Sequence, residues 1–282
     1  MLLLRQLIQE LEWIIMVIYR DYTTFDVMLG QPCIIDNCGA FYPIKVKDYY
    51  MFYKRYNRYF TYTKKHLDRA LPNIEGVPLS TLQKTMIFNS RILQIPDEFG
   101  NALEPQEALL EVVRDLEKAF SIVTREEVTL NKTGAFINES GTVNINDKNF
   151  DFVLKVVALQ NLIYQPNYYE DPEYEKVIEK ARIAHNPNPI SFEEMVAYVK
   201  NLGKITYQEV MEENVLQLHC DYSCLQKEED YRTAMNFRLV ADKKTSQQLA
   251  KEKLTSKFID SLYDNSDSYL LTDLGKLGFV ND

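Results

Sequence analysis

From Phe150 to Tyr164 the chain is apolar on most of its faces, with Val153, Leu154, Val156, Val157, Ala158, Leu159, Leu162 and Ile163 following one another closely. A helix of that kind has no solvent face to spare, so it has to be surrounded. The pattern predicts a helix over 150–164 at the centre of a core, capped by Asp147. The rest of the chain must then supply elements to wrap it. The following segment supplies several. Asp171-Pro172 is a helix start, and Asn186-Pro187-Asn188-Pro189 stops that helix after about His185. Ser191-Phe192-Glu193-Glu194 is a capping box whose helix closes at Gly203, and Thr206-Tyr207-Gln208-Glu209 is a second. After Glu213-Asn214 a longer helix is expected to about Asp242.

The first half carries the same helical signals with strands between them. Val27–Leu29 and Pro32–Ile35 read as strands around Gly30, and Phe41–Val46 as another, with turn chemistry at Asp36-Asn37-Cys38-Gly39. One helix is expected from Lys47 to Leu71, broken by Pro72-Asn73 and Gly76-Val77-Pro78, and a second from Leu79 to Leu93, stopped by Pro96 and Gly100. Pro105 suits the first position of a helix whose buried stripe reads Leu109, Leu110, Val112, Val113, Leu116 and Phe120. Glu127–Leu130, Ala135–Ile137 and Thr142–Ile145 alternate like strands, punctuated by Gly134 and Gly141. The sum is an α+β chain, predominantly α-helical, with two small β-hairpin regions. The expected organisation is an N-terminal extension over 1–24, an α+β lobe over 25–147, a helical lobe over 148–245 and a polar tail over 246–282. Within that tail, Asp264 to Ser268 reads as an exposed break.

The N-terminal extension has two readings. Leu3, Leu4, Leu7, Leu11, Ile14, Ile15 and Ile18 recur at the spacing of an amphipathic helix. Alternatively, Leu11-Glu12-Trp13 can be encoded by a stretch containing GGAG shortly before Met16, the spacing of a bacterial ribosome-binding site, which would make Met16 the true start. The longest apolar run here, Ile14 to Tyr19, is shorter than the core of about 7–15 residues in a signal peptide or the roughly 20 of a membrane span. An intracellular, reducing compartment is therefore expected, and four cysteines in 282 residues do not make a disulfide scaffold.

Function classes narrow in the same way. Nine glycines disfavour phosphate-cradling loops and tight hairpin arrays. No Walker loop, dinucleotide fingerprint, zinc-protease motif or calcium loop is present. The acidic pairs Glu170-Asp171, Glu212-Glu213 and Glu228-Glu229-Asp230 fall on polar faces, and His66 and His185 are expected in solvent. Nothing points to an enzyme or to a cofactor. Cys33 with Cys38 and Cys220 with Cys224, beside His219, form a weak zinc candidate, with burial in the core as the plainer account. The consecutive capping boxes resemble a helix-turn-helix, but Tyr207 to Glu213 contains three glutamates and no basic residue, which excludes DNA readout.

The formal charge is −9, yet the segment from Tyr42 to Arg69 carries eight basic residues against Asp48 and Asp68, a local +6 that leaves −15 on the remainder. It also holds seven of the nineteen tyrosines. Basic residues interleaved with aromatics can hold a nucleic-acid strand, which would make RNA or single-stranded DNA a ligand, though the overall charge disfavours nucleic-acid binding by the surface as a whole. In the plainer reading Tyr49, Phe52, Tyr53, Tyr56 and Phe60 face the core, and the basic residues form a solvated face that balances acidic partners. A protein-binding patch built from Tyr50, Tyr53, Lys54, Arg55, Arg58 and Tyr59 is the third reading.

A family resemblance bears on that choice. Phe150-Asp151-Phe152 through Leu159-Gln160-Asn161, Ile190 to Val196, Ile205 to Val210 and Glu228 to Arg232 resemble the tail assembly chaperone type of morphogenesis protein from tailed bacteriophages of Gram-positive hosts. Phe41-Tyr42-Pro43-Ile44-Lys45-Val46-Lys47-Asp48-Tyr49 and the Tyr-rich stretch after it extend the likeness to about 40–240. Cys220 and Cys224 depart from it, standing where aromatic or aliphatic residues are expected, and nothing after Asp242 corresponds. The resemblance implies a non-catalytic protein in the cytoplasm of the infected host, without a membrane partner. It would bind the long helical tape measure protein and the tail tube protein during virion assembly. The alternatives are a virion component or a phage protein that engages a host or defence factor.

Overall fold

The structure, a computed structural model, describes residues 23–71, 78–96, 102–185 and 190–238. The expectations for the N-terminal extension, the 72–77 break, the Asn186–Pro189 stop and the tail lie outside those residues.

The chain is mostly helical with two small antiparallel sheets. It opens with α1 (Thr24–Met28), where strand character was expected for Val27–Leu29. Thr23 explains the difference. Its hydroxyl accepts the Asp26 N–H, and the Asp26 carboxylate accepts the Thr23 N–H at 2.7 Å, a capping box that commits the next residues to a helical turn. The hairpin β1 (Cys33–Ile35) and β2 (Gly39–Phe41) follows, paired Cys33 to Phe41 and Ile35 to Gly39. Gly39 is required twice over. Its φ is +126°, and a Cβ there would meet the Thr142 carbonyl oxygen at 3.3 Å.

The pairing with β1 stops at Phe41, while the chain stays extended to Lys45, which forms an isolated antiparallel bridge with Asn214, and turns helical at Val46. Its alternate N–H groups go to separate elements instead of one ladder. Tyr42 donates to the Val123 carbonyl at 2.7 Å, and Val46 to the Glu213 carbonyl at 2.8 Å. Between them Ile44 donates to the Asn161 side-chain oxygen at 2.7 Å.

The long helix expected over 47–71 is broken into pieces. α2 (Val46–Met51) passes into a π-helical turn over Phe52–Tyr56, in which the Asn57 N–H reaches back to the Phe52 carbonyl; α3 (Arg58–Thr61) and α4 (Lys64–Ala70) follow. The wide turn accompanies the burial of Phe52, Tyr56, Tyr59 and Phe60 within fewer than three turns of chain. Next come α5 (Thr81–Leu93), started by a Ser80–Gln83 capping box, and α6 (Pro105–Thr124) with Pro105 at its first position. The three expected strand segments pair as one antiparallel meander of β3 (Val128–Leu130), β4 (Phe136–Asn138) and β5 (Asn144–Ile145).

α7 (Phe150–Gln160) takes the central place its composition predicts. Phe150, Val153, Leu154, Val156, Val157 and Ala158 lie in the largest core cluster with Phe52, Phe60, Phe120 and Phe136. The Phe120 ring packs edge-on against Phe60, Phe136 and Phe150 at centroid distances of 6.2, 5.0 and 6.3 Å. Its cap is Asn149; Asp147 instead accepts a hydrogen bond from Ser80. The helix stops earlier than expected, at Gln160, and Leu162 just beyond it turns left-handed with a φ of +53°. Gln160 donates to the Phe41 carbonyl at 2.8 Å, and Asn161 bridges the Ile44 N–H and the Val157 carbonyl. The expected division near residue 148 does not separate the packing, since the main cluster runs from Cys33 through Ile163 and takes in Val215. A second cluster joins Val46 to Met195, Val196, Val199, Val210 and Leu218. These belong to α9 (Phe192–Gly203), α10 (Tyr207–Glu212) and α11 (Val215–Arg238), with both expected capping boxes formed. α8 (Pro172–His185) starts at the expected proline, with Asp171 accepting the Glu173 N–H.

Asn161 is fully buried, and losing its amide would strand the Ile44 N–H without water. Replacing Asn161 with Ala should lower unfolding stability by about 2–3 kcal/mol in a denaturant titration, the cost of an unmet buried donor plus a lost bond.

Candidate functional site: a groove between the π turn and α6

The basic, tyrosine-rich segment meets α6 along an open groove of about 760 Å³. Lys54, Arg55 and Arg58 form one wall, and Leu103, Glu107, Leu110, Glu111 and Arg114 form the other, with Asp115 at the base. Leu103, Glu107, Leu110, Glu111 and Arg114 share a face of α6 and its lead-in because they recur at spacings of three and four.

Asp115 is 1% exposed, an exceptional place for a carboxylate. It accepts from Arg55 Nε at 2.6 Å, from Arg58 at 3.1 Å and from the Tyr59 hydroxyl at 2.9 Å. Arg55 also pairs with Glu111, and its guanidinium is held even more firmly in the charged form, chiefly by its bond to Asp115. Arg58 lies 4.9 Å over the Tyr59 ring and hydrogen-bonds its hydroxyl. Removing one member of such a cluster leaves the others uncompensated in a partly dry site. The groove floor is thus rigid and close to neutral. A ligand would meet the apolar side chains of Leu103 and Leu110, the latter 56% exposed, flanked by Lys54, by Arg114, itself 3.7 Å from Glu111, and by the Glu107 carboxylate.

The sequence-based partner set divides on this geometry. Lys54, Arg55 and Arg58 line the groove together. Tyr50 lies beside it, with the Lys54 ammonium 4.3 Å over its ring. Tyr53 is 55% exposed, where the core reading had it buried, and packs its ring 5.8 Å from Tyr49, itself 5.0 Å from Phe192. Tyr59 must be removed from the set, because it is 1% exposed and its hydroxyl is spent on Asp115. Two corrections fall on α6. Leu109 and Leu110 were expected in its buried stripe but are exposed, and Asp115 lies in that stripe between Val112 and Ala119. A charged residue at a stripe position was the sequence signal for the site.

Most of the segment's positive charge is used inside the chain. Besides Arg55 and Arg58, Lys45 and Lys47 both bind Glu212, Arg69 binds Glu175, and Lys64 lies 4.0 Å from Asp151. The two lysines hold the Glu212 carboxyl down to about 2. Balance against acidic partners is therefore the main use of these cations, as the plainer reading had it.

The remaining candidates sit elsewhere. Cys33 and Cys38 are buried in the main core and Cys220 beside Val27 and Leu216, while Cys224 is exposed. Burial pushes the Cys33 and Cys220 thiols up to about 11 and Cys38 to about 12, which disfavours the thiolate a metal needs. Among the described residues no three of His, Cys, Asp and Glu gather as a metal site. His66, expected in solvent, is 8% exposed and bonds Thr63 Oγ1 through Nδ1 at 2.8 Å. No described helix is long and apolar enough to cross a membrane. No family model, curated protein or solved structure matches the chain.

Glu213, expected on a polar face, is half-buried at the junction of α10 and α11, with one carboxylate oxygen enclosed and unpartnered. Burial, followed by the nearby Asp221 charge, pushes its carboxyl up to about 7. A carboxyl raised in the folded state stabilises the fold below its ordinary range, and that contribution is lost as the pH rises through about 7. His219, held down by burial, acts oppositely at acid pH, and Asp221, raised by burial, acts in the same sense as Glu213. The comparison of wild type with Glu213→Gln isolates the one group. The Tm advantage of Glu213→Gln should grow between about pH 5 and about pH 8. A constant difference would assign Glu213 an ordinary titration.

Proposed function

We propose that the protein is a non-catalytic, tail assembly chaperone-like factor of a tailed bacteriophage. It binds amphipathic helices of the tape measure protein, with the tail tube protein as a second partner, in the cytoplasm of the infected host. The observation that carries the reading is the groove, whose apolar side chains Leu103 and Leu110 stand exposed between charged rims on a floor fixed by Asp115. An amphipathic helix about 10–12 Å across needs that combination, apolar positions for its buried face and charges for its edges. The sequence resemblance supplies the identity of the helix. A partner helix with acidic residues beside its apolar stripe would meet Lys54 and Arg114 without displacing Asp115 from Arg55 and Arg58.

The test is co-purification and titration with helical fragments of the tape measure protein encoded by the same phage, at low salt. Wild type should bind at least one fragment. Leu110→Asp should weaken that binding by a factor of about ten or more, equivalent to about 1.4 kcal/mol, with an unchanged Tm because the side chain is exposed. Wild type that binds no fragment sinks the function. Binding that survives both Leu110→Asp and Leu103→Asp moves the site away from the groove.

A further inference from the structure

Among the described residues, α8 is attached differently from the other long helices. Its buried residues, Ile178 and Ala181, form a small cluster of their own with Tyr169 and Tyr174, all drawn from the same stretch of chain. Among the described residues none of 172–185 belongs to the three clusters that hold the remaining elements together. Between this stretch and α4 lies a cleft of about 500 Å³ lined by Tyr62, His66, Arg69, Tyr164 and Arg182 among others. A helix without a share in the main core has to be held by something else.

The ion pairs that hold it converge on Glu175. One of its oxygens accepts from Arg69 of α4 at 2.5 Å. The other accepts the Tyr169 N–H at 2.9 Å and lies 3.9 Å from His66 Nε2. Arg69 grips the same stretch a second time, donating to the Tyr169 carbonyl at 3.0 Å, and its guanidinium lies 5.0 Å over the Tyr168 ring. Glu175 therefore joins the helix, the loop before it and α4 at one point. Its carboxyl is held below the usual range, chiefly by Arg69, so the latch is charged throughout the neutral range. The near end of the stretch is pinned separately, where Gln165 donates to the Phe60 carbonyl at 2.7 Å.

We infer that residues 168–185 form a strap over the α4 cleft, hinged near Gln165 and latched by the Arg69–Glu175 pair, which opens as a unit while the core stays folded. Opening separates Glu175 from Arg69 and uncovers His66 and the cleft. It also parts the Tyr168 ring from His66, 5.5 Å away, and the Arg182 guanidinium from the Tyr164 ring, 4.0 Å away. A helix held by ion pairs and ring contacts, with no buried residue in the main cluster among those described, belongs to the low-stability class of local openings, whereas α7 should exchange only through global unfolding. The inference does not depend on the tape measure reading, since it concerns only how this chain moves.

Hydrogen exchange followed by mass spectrometry on the full chain tests it. In wild type, peptides from 172–185 should exchange faster than those from 150–160. Arg69→Ala and Glu175→Gln should each speed exchange in 172–185 by about tenfold or more while leaving 150–160 unchanged. The double reversal Arg69→Glu with Glu175→Arg should recover part of the protection lost in either single reversal. Equal protection of the two regions in wild type would overturn the strap as a separate unit. Unchanged exchange of 172–185 in both single variants would overturn the latch, and acceleration of 150–160 in step with 172–185 would make the stretch part of the global fold.

Discussion

The main helices of this fold meet at six residues, Phe41 to Val46, a chain that is extended as far as Lys45. Backbone amides in such a run must be satisfied, and a lone strand cannot satisfy its own. Here three successive outward N–H groups are met by the end of α6, by the Asn161 side chain at the end of α7 and by the junction before α11. The Phe41 carbonyl takes the Gln160 amide, and the Ile44 carbonyl takes the Val215 N–H. Five bonds thus tie three helical ends, about 80 to 170 positions further along the sequence, to one short line. The large aromatic cluster around Phe120 gives the fold its mass, but apolar contact is non-directional. The hydrogen bonds of this line set the register in which the helices meet.

That register positions the groove. α2 starts at the end of the extended run, so the run places the π turn and α3 against α6. Asp115 then closes on Arg55, Arg58 and Tyr59. The result is a basic segment whose charge is largely consumed by carboxylates of its own chain. A surface that offers few free cations per unit length is poorly suited to a polyanion, whose binding depends on phosphate neutralisation. A surface with exposed leucines between charged rims is better suited to another protein.

Much of this was legible in the sequence where the signal is local. Capping boxes at Ser191 and Thr206, the proline starts of α6 and α8 and the apolar envelope of α7 each fix a short stretch by its own chemistry, and each formed as read. The failures share a cause too. Phe41 to Val46 alternates like a strand because it is extended, but whether it pairs with one neighbour or three is decided by elements far along the chain. Val27 alternates with its neighbours as a strand would, yet the Thr23 capping box just before it decides for helix. In the basic segment the tyrosines could be sorted into inner and outer faces only roughly, because the π turn shifts the phase between Tyr53 and Tyr59. Asp115 was readable as a charge in an apolar stripe, but its partners, some 60 positions earlier, were not.

The claim that one extended line organises the fold can be met head-on by measuring native-state hydrogen exchange at single-amide resolution for Tyr42, Ile44 and Val46. If the line is the organising element, the three amides share one opening free energy, equal within error to that of the α7 amides, because none can open without releasing the helices it joins. If Ile44 or Val46 exchanges through a shallow local opening while α7 stays protected, the helices are held in place without the line and the account is wrong.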